Sequence, residues 1–383
     1  MTDTDSAPLE HHAEAPTGPS VQKPGGSAAD QPRQPPTGLK PVLEIIPERC
    51  YQRSTGRGLL LLARDLAIFG LAVWGLLSTD NPLALVPLWL VAGASTAGLF
   101  VLGHDAAHGA LFDSARLNAV VGRLAMLPSL HATEQWIFGH NRVHHGHTLR
   151  QGMDFVWHPL TVTEYQQLNG LAKLRHRIEW GPFGAGAYYL REVWWNKMVR
   201  FTPPPRWRNS MRRDQVIVVT YVALALTLLI GWSGPGTGLW QFFKVVVVPF
   251  VLFSQTIGWV VYVHHIAPDI RWWPRREWNR FRGQVEGTTI LWGPPGWELL
   301  FHWIMVHIPH HVDMRIPCYR LPLAARAIAD AFPEDVVEKP IRLHDYLHSV
   351  RACKLHNFET GQWMPYPSAS SPSVSAGQTD STS

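Results

Sequence analysis

W-I-F-G-H-N-R-V-H-H-G-H-T, residues 136–148, is the stretch on which the rest of the chain turns. Its His140, His144 and His145 are polar, titratable and metal-binding, in a chain otherwise dominated by long apolar runs. In an α-helix, His140 and His144 lie one turn apart on one face and His145 sits about 100° round it, a face able to grip two neighbouring metal ions. The cluster has company. His104 and His108 form H-x-x-x-H upstream, and His307, His310 and His311 form H-x-x-H-H downstream. Together these histidines exceed what one zinc ion needs and suit a pair of ions with all-nitrogen ligation.

The apolar runs set the fold. The chain has 383 residues, 46% of them hydrophobic, yet its mean hydropathy is near zero because polar ends dilute the interior. Residues 1–40 are rich in Pro, Ser, Gly, Gln and charge and read as a disordered tail without the apolar core of a signal peptide; residues 366–383 read as a second one. Between them, residues 41–365 form one membrane domain. Four windows suit helices crossing about 30 Å of hydrocarbon: Gly58–Leu77, Leu83–Gly103, Val216–Trp232 and Leu239–Tyr262. Arg64 and Asp65 interrupt the first near its start, where Arg can snorkel and the two can pair with neighbours. The expected architecture is therefore all-α and integral to the membrane: four transmembrane helices in two hairpins, with a cytoplasmic helical cap that carries the histidines.

Topology tests whether those histidines can meet. The two hairpin turns, Ser78–Pro82 and Ser233–Gly238, contain no Lys or Arg. The segments between and after the hairpins contain Arg142, Arg150, Arg206, Arg208, Arg212, Arg213, Arg271, Arg275 and Arg276, which marks them as cytoplasmic. Counting spans places all three clusters, His264 and His265, and both termini on that side. Leu117–Leu130 and Ile290–Val306, apolar but short or broken by Pro and Gly, read as interfacial helices that carry the ligands.

In this order, H-D-x-x-H after a second span, H-x-x-x-H-H some 30 residues on and H-x-x-H-H past a fourth span, the chain resembles the membrane fatty-acid desaturases over roughly residues 45–345. The run H-I-P-H-H-V-D-M-R-I-P-C-Y-R-L, residues 307–321, resembles the acyl-lipid branch that acts toward the methyl end, of the omega or delta-12 type. The resemblance implies a non-haem di-iron centre, O2 as co-substrate, a membrane-lipid acyl substrate, insertion of a cis double bond, and a separate electron donor such as a ferredoxin or rubredoxin. Carried over residue by residue, it makes His104, His108, His140, His144, His145, His307, His310 and His311 the iron ligands, with His265 as the ninth and His264 as its alternative. Neutral imidazoles bind iron without cancelling its charge, and two irons with oxygen can attack an unactivated methylene. Asp105 and Asp154 can orient imidazoles through their free N–H, and His147 and His302 suit supporting hydrogen bonds or packing. Pro309, inside the third cluster, fits the start of a helix with His307 just before it.

Other classes lack their signatures. No Glu has His three residues later, as a ferritin-like carboxylate site requires, and no phosphate-binding or dinucleotide glycine motif is present. Lys and Arg number 34 against 29 acidic residues, a net +5 that suits an anionic membrane face better than a nucleic-acid groove. Cys50, Cys318 and Cys353 are widely spaced, which fits a reducing compartment and provides neither a disulfide framework nor a sulfur-held cluster. With no H-P-G-G haem signature either, the electron donor is a separate protein. A di-iron lipid or carotenoid hydroxylase or ketolase of the same superfamily shares the pattern. The non-enzymatic alternative, a histidine-rich membrane metal carrier, should line its spans with polar residues, whereas these clusters lie beyond span ends.

Overall fold

The computed structural model describes residues 35–367, so the tails expected at 1–40 and 366–383 lie almost wholly outside the described residues. The described chain is mostly helical, and four of its helices are long and apolar enough to cross a membrane: Thr55–Ser78, Pro82–Ala107, Pro205–Ser233 and Pro235–His265. Local sequence sets their ends. Ser54 accepts a hydrogen bond from the Arg57 N–H at the first helix start, and the Asn81 side chain accepts from Leu83 N–H at 2.9 Å ahead of the second, with Pro82 at its first position. Gly234, at φ 81°, stops the third helix, and Pro235 starts the fourth one residue later.

These helices are apolar on the outside as well as the inside. Leu60 is 70%, Leu83 85%, Leu228 70% and Trp232 90% exposed, a surface that water tolerates poorly and lipid covers. The protein is integral to the membrane. The hydrophobic window of the third helix buries 0% of its residues within the protein, against 61% for the second helix. The second is thus the central post, packed by the first and the fourth. Gly93 permits the close approach on one side, since a Cβ there would lie 2.6 Å from the Leu252 side chain.

A basic residue also lies inside the fourth apolar window. Lys244 in the fourth helix is 1% exposed, and its Nζ donates to Asp80 Oδ1 at 2.8 Å and Thr79 O at 2.9 Å. Trp240 Nε1 donates to the same Asp80 oxygen at 2.7 Å. The ammonium thereby leaves the apolar zone and fastens the fourth helix to the connection between the first two. These donors hold the Asp80 carboxyl below the usual range.

The remaining described segments form shorter elements. Leu117–Leu130 becomes a helix at Ala115–Met126. Ile290–Val306 does not become one. Thr289–Trp292 is a strand paired in parallel with Val337–Pro340, and G-P-P-G at 293–296 breaks the chain before the five-residue helix Trp297–Phe301. A second ladder pairs Leu355–Asn357 with Gln362–Met364. The described residues therefore carry two small sheets in a helical protein. Tyr366 accepts or donates a hydrogen bond with His176 Nδ1 at 2.8 Å, so the domain's packing reaches that residue.

Candidate metal centre

The three histidine clusters and His265 come together at the ends of the second and fourth long helices. His104, His108, His140 and His310 place ligand nitrogens within 4.8 Å of one another, and His144, His265 and His311 do so in a second group. His145 lies between the groups, its Nε2 3.1 Å from His140 Nε2 and its ring stacked 4.3 Å from that of His311. His307 borders the second group, 4.6 Å from His311 between centroids, and stacks on His264 at 3.9 Å. His264 is buried beside the groups but belongs to neither.

The α-helical reading of residues 136–148 needs correction. After one short helix, Thr133–Ile137, the segment Phe138–His144 is a π-helix in which the His145 N–H bonds back to His140 O. In that wider winding the fifth residue along comes much closer to the face of the first than it does in an α-helix. His145 therefore faces His140 instead of lying 100° away, while His144 turns to the second group. Pro309 sits within the first turn of the helix Ile308–Val312, with His307 at its N-cap and His310 and His311 on it, as the spacing required.

The far sides of five of these rings, those of His104, His144, His265, His307 and His311, are fixed by hydrogen bonds. Asp154 accepts from His144 Nδ1 at 3.0 Å, Gln284 Oε1 from His311 Nδ1 at 2.7 Å, Gly287 O from His265 Nδ1 at 3.0 Å and Ile304 O from His307 Nδ1 at 3.1 Å. Asp105 Oδ1 lies 3.3 Å from His104 Nδ1, and its other oxygen accepts the Cys318 N–H at 2.6 Å. With the proton held on Nδ1, each Nε2 presents a lone pair inward. The R-I-P-C-Y run consequently acts through Asp105. Its next residue, Tyr319, accepts the Ser54 N–H at 2.7 Å at the foot of the first long helix.

The donor set fits a metal pair. His265 Nε2, His310 Nε2, His311 Nε2 and both nitrogens of His108 are buried without any hydrogen-bond partner, and buried polar atoms are normally satisfied. Burial first, then the neighbouring imidazoles, pushes His108, His140, His145, His307, His310 and His311 well below the usual histidine range. They stay neutral, as ligation requires.

Sequence reasoning missed Gln284. It is 2% exposed, and besides holding His311 it donates to His145 O at 2.5 Å. Its only signal is a lone amide in R-G-Q-V-E-G, which carries no ligand spacing. His302 does not approach the metal groups. It adopts φ 47° and bonds Asp65 Oδ2 at 2.5 Å, which in turn pairs with Arg64, so the charges inside the first span satisfy one another. His147 packs against Trp278 at 5.9 Å.

A narrow apolar slot with a cavity volume of about 70 Å³ runs beside the rings of His104, His140, His144, His264 and His307. Phe100 and Val101 of the second long helix, Ile257, Val260 and Val261 of the fourth, and Tyr189, Val193 and Met198 of the π-helix Tyr189–Val199 form its walls. Gly258 lets Ala185 and Tyr189 approach the fourth helix closely enough to close it.

The sequence profile of the fatty acid desaturase family matches residues 80–340. An sn-1 oleoyl-lipid 12-desaturase of Synechocystis sp. is 27% identical, over 84% of this chain and 90% of that protein. The chloroplastic omega-6 fatty acid desaturase of Glycine max is 29% identical over 76% of this chain and 67% of its own length, and the chloroplastic omega-3 fatty acid desaturase of Glycine max is 30% identical over 87% and 75%. Boxes, slot and similarity agree: this chain belongs to the fatty acid desaturase family, on its acyl-lipid, omega-like branch.

Proposed function

We propose that this oxidoreductase inserts a cis double bond into a fatty acyl chain borne on a membrane glycerolipid, at a di-iron centre that uses O2. The observation that carries the reading is the narrow apolar slot laid alongside the histidine rings. An acyl tail entering it from the lipid phase gains roughly 0.8 kcal/mol per methylene buried. Val101, Ile257, Val260 and Ile304 offer no hydrogen bonds, so recognition is by shape, and water is excluded from the segment beside the metal groups.

His104, His108, His140 and His310 would hold one iron and His144, His265 and His311 the other, with His145 and His307 completing the set. Once bound, the iron pair and O2 supply the oxidising power needed to take hydrogen from two adjacent methylenes. The protein's own contribution is to keep the imidazoles neutral by burial and to orient the rings of His104, His144, His311 and His265 through Asp105, Asp154, Gln284 and the Gly287 carbonyl. Within one membrane domain, residues 41–365, the four spans form two hairpins under a helical cap, with the histidines and both termini on the cytoplasmic side, in keeping with turns that lack Lys and Arg. Electrons come from a separate carrier of the ferredoxin or rubredoxin kind.

Expression in a host supplied with a ferredoxin system tests the reaction. Gas chromatography–mass spectrometry of membrane lipids should show a new oxygen-dependent cis alkene, a diene formed from a monoene, without added oxygen. Hydroxylated or oxo lipids, or modified carotenoids beside unchanged fatty acids, would refute desaturation.

A further inference from the structure

We propose that the surface of residues 271–282 with the adjoining Arg150 docks an acidic one-electron carrier of the iron–sulfur class, and that Trp278 and Thr148 lead from it to the histidines. The proposal rests on the desaturase reading and names that reaction's partner site. Each turnover converts –CH2–CH2– plus O2, two electrons and two protons into –CH=CH– plus two waters. An iron–sulfur carrier brings one electron per visit, so two must arrive and leave, which calls for a transient, charge-steered contact.

The surface has the required chemistry. Arg271, Arg275, Arg276, Arg280 and Arg282 face one acid, Glu277, within this stretch, and that acid is already engaged by Arg271 at 3.1 Å and Arg276 at 3.7 Å. Arg275, Arg276 and Arg280 are exposed. Arg271 and Arg282 lie over Trp273 at 4.2 and 4.1 Å from the ring, so part of the charge is fixed in place. Trp273 itself is stitched to the second histidine segment, donating to Leu149 O and accepting from Gln151 N–H, both at 3.0 Å.

A short hydrogen-bonded run connects surface to centre. Half-buried Trp278 carries Arg150 over its ring at 5.3 Å and donates through Nε1 to Thr148 O at 2.8 Å. Thr148 Oγ1 donates to His144 O at 2.7 Å and lies 3.3 Å from His311 Nδ1. Gly283 makes room for the contact, because a Cβ there would fall 2.9 Å from both Thr148 O and Trp278 Nε1. Another basic cluster, Arg206, Arg208, Arg212 and Arg213, lies at the start of the third helix, whose apolar window buries none of its residues in the protein, and belongs with headgroups.

Binding of a plant-type [2Fe–2S] ferredoxin to the full-length protein in detergent, followed over a range of ionic strength, tests the site. Arg275→Glu/Arg276→Glu/Arg280→Glu should raise Kd at least about tenfold at low salt, mainly through slower association, with the gap closing as salt rises. The milder Gln triple variant should fall between, which guards against misfolding. Arg206→Glu/Arg208→Glu/Arg212→Glu should leave Kd within about twofold. Trp278→Phe, which keeps an aromatic ring but loses the donor, should accept electrons more slowly at saturating ferredoxin; an unchanged saturating rate removes Trp278 from the path. Wild-type protein that does not bind, a Glu triple variant that binds as tightly as wild type, or an equal loss in the Arg206 set overturns the docking site. Failure of the desaturase reading is seen separately, as normal ferredoxin binding with no new double bond in the lipids.

Discussion

Asp154 separates metal binding from folding, because one carboxylate serves both. It is 2% exposed, and its oxygens accept from His144 Nδ1 at 3.0 and 3.1 Å and from the Leu149 and Val156 N–H groups at 3.0 Å each. Asp154→Ala leaves three buried donors unpaired at about 1–3 kcal/mol each. The sum, roughly 3–9 kcal/mol, approaches a domain's whole net stability of ~5–15 kcal/mol, so this variant should not accumulate folded. Asp154→Asn behaves differently. Its single oxygen still serves one backbone donor, at a cost of about 1–3 kcal/mol for the other, and its amide presents a hydrogen to His144 Nδ1. The imidazole proton then moves to Nε2, the nitrogen that faces the second group. Iron affinity should fall about 10–100-fold while the protein remains folded. Metal analysis after equilibration with buffered iron, alongside thermal unfolding in detergent, distinguishes the two effects. An Asn variant with wild-type iron affinity would refute the tautomer argument.

His265→Ala should lower iron content, whereas His264→Ala should keep it and weaken acyl binding, since His264 lines the slot without joining either group; metal analysis that reverses the two would make His264 the ligand. Gly139 faces the slot with the Phe155 ring 3.5 Å from where a Cβ would be, so Gly139→Leu should shift products toward shorter chains or other positions, by ~1–3 kcal/mol per methylene displaced, as read from fatty-acid profiles. Cysteine labelling should place Asp80 and Gly236 outside and Arg150 and Arg320 inside; Arg150 and Arg320 on opposite faces would end the shared-site proposal. Burial pushes His131, His176 and His356 down to about 4. The unfolded chain protonates these groups near 6.5 while the folded one does not, so their stability contribution is full above pH ~6.5 and declines toward pH 4 by about 1.4 kcal/mol per unit each. Unfolding midpoints that stay flat across that window would contradict it.

Much of the fold was legible because hydrocarbon imposes a coarse rule that apolar windows reveal: the long helices extend three of the four windows by only a few residues at either end, and the third starts well before its window, at Pro205 instead of Val216. The clustering of the boxes followed from span parity. What escaped has specific causes. Periodicity assumes one winding, and the π-turn at Phe138–His144 changes which histidines face each other without altering a single spacing. Lys244 hid in an apolar window because its partner, Asp80, is 164 residues away. The strand at Thr289–Trp292 depends on partners at Val337–Pro340, a non-local pairing that a short apolar run cannot announce.

The placement of the ligands at element ends also has an electrostatic reason. His104 and His108 close the second long helix, and His265 ends the fourth. Helix carbonyls left unpaired at such ends carry partial negative charge. Two C-termini therefore converge on the place where neutral imidazoles would otherwise leave a pair of cations uncompensated. Carboxylates are kept one bond further out: Asp105 and Asp154 reach the histidines' outer nitrogens. Such an arrangement would leave a bound metal pair electron-poor, which is what attack on an unactivated methylene demands, and places the donor set at the ends of two apolar spans.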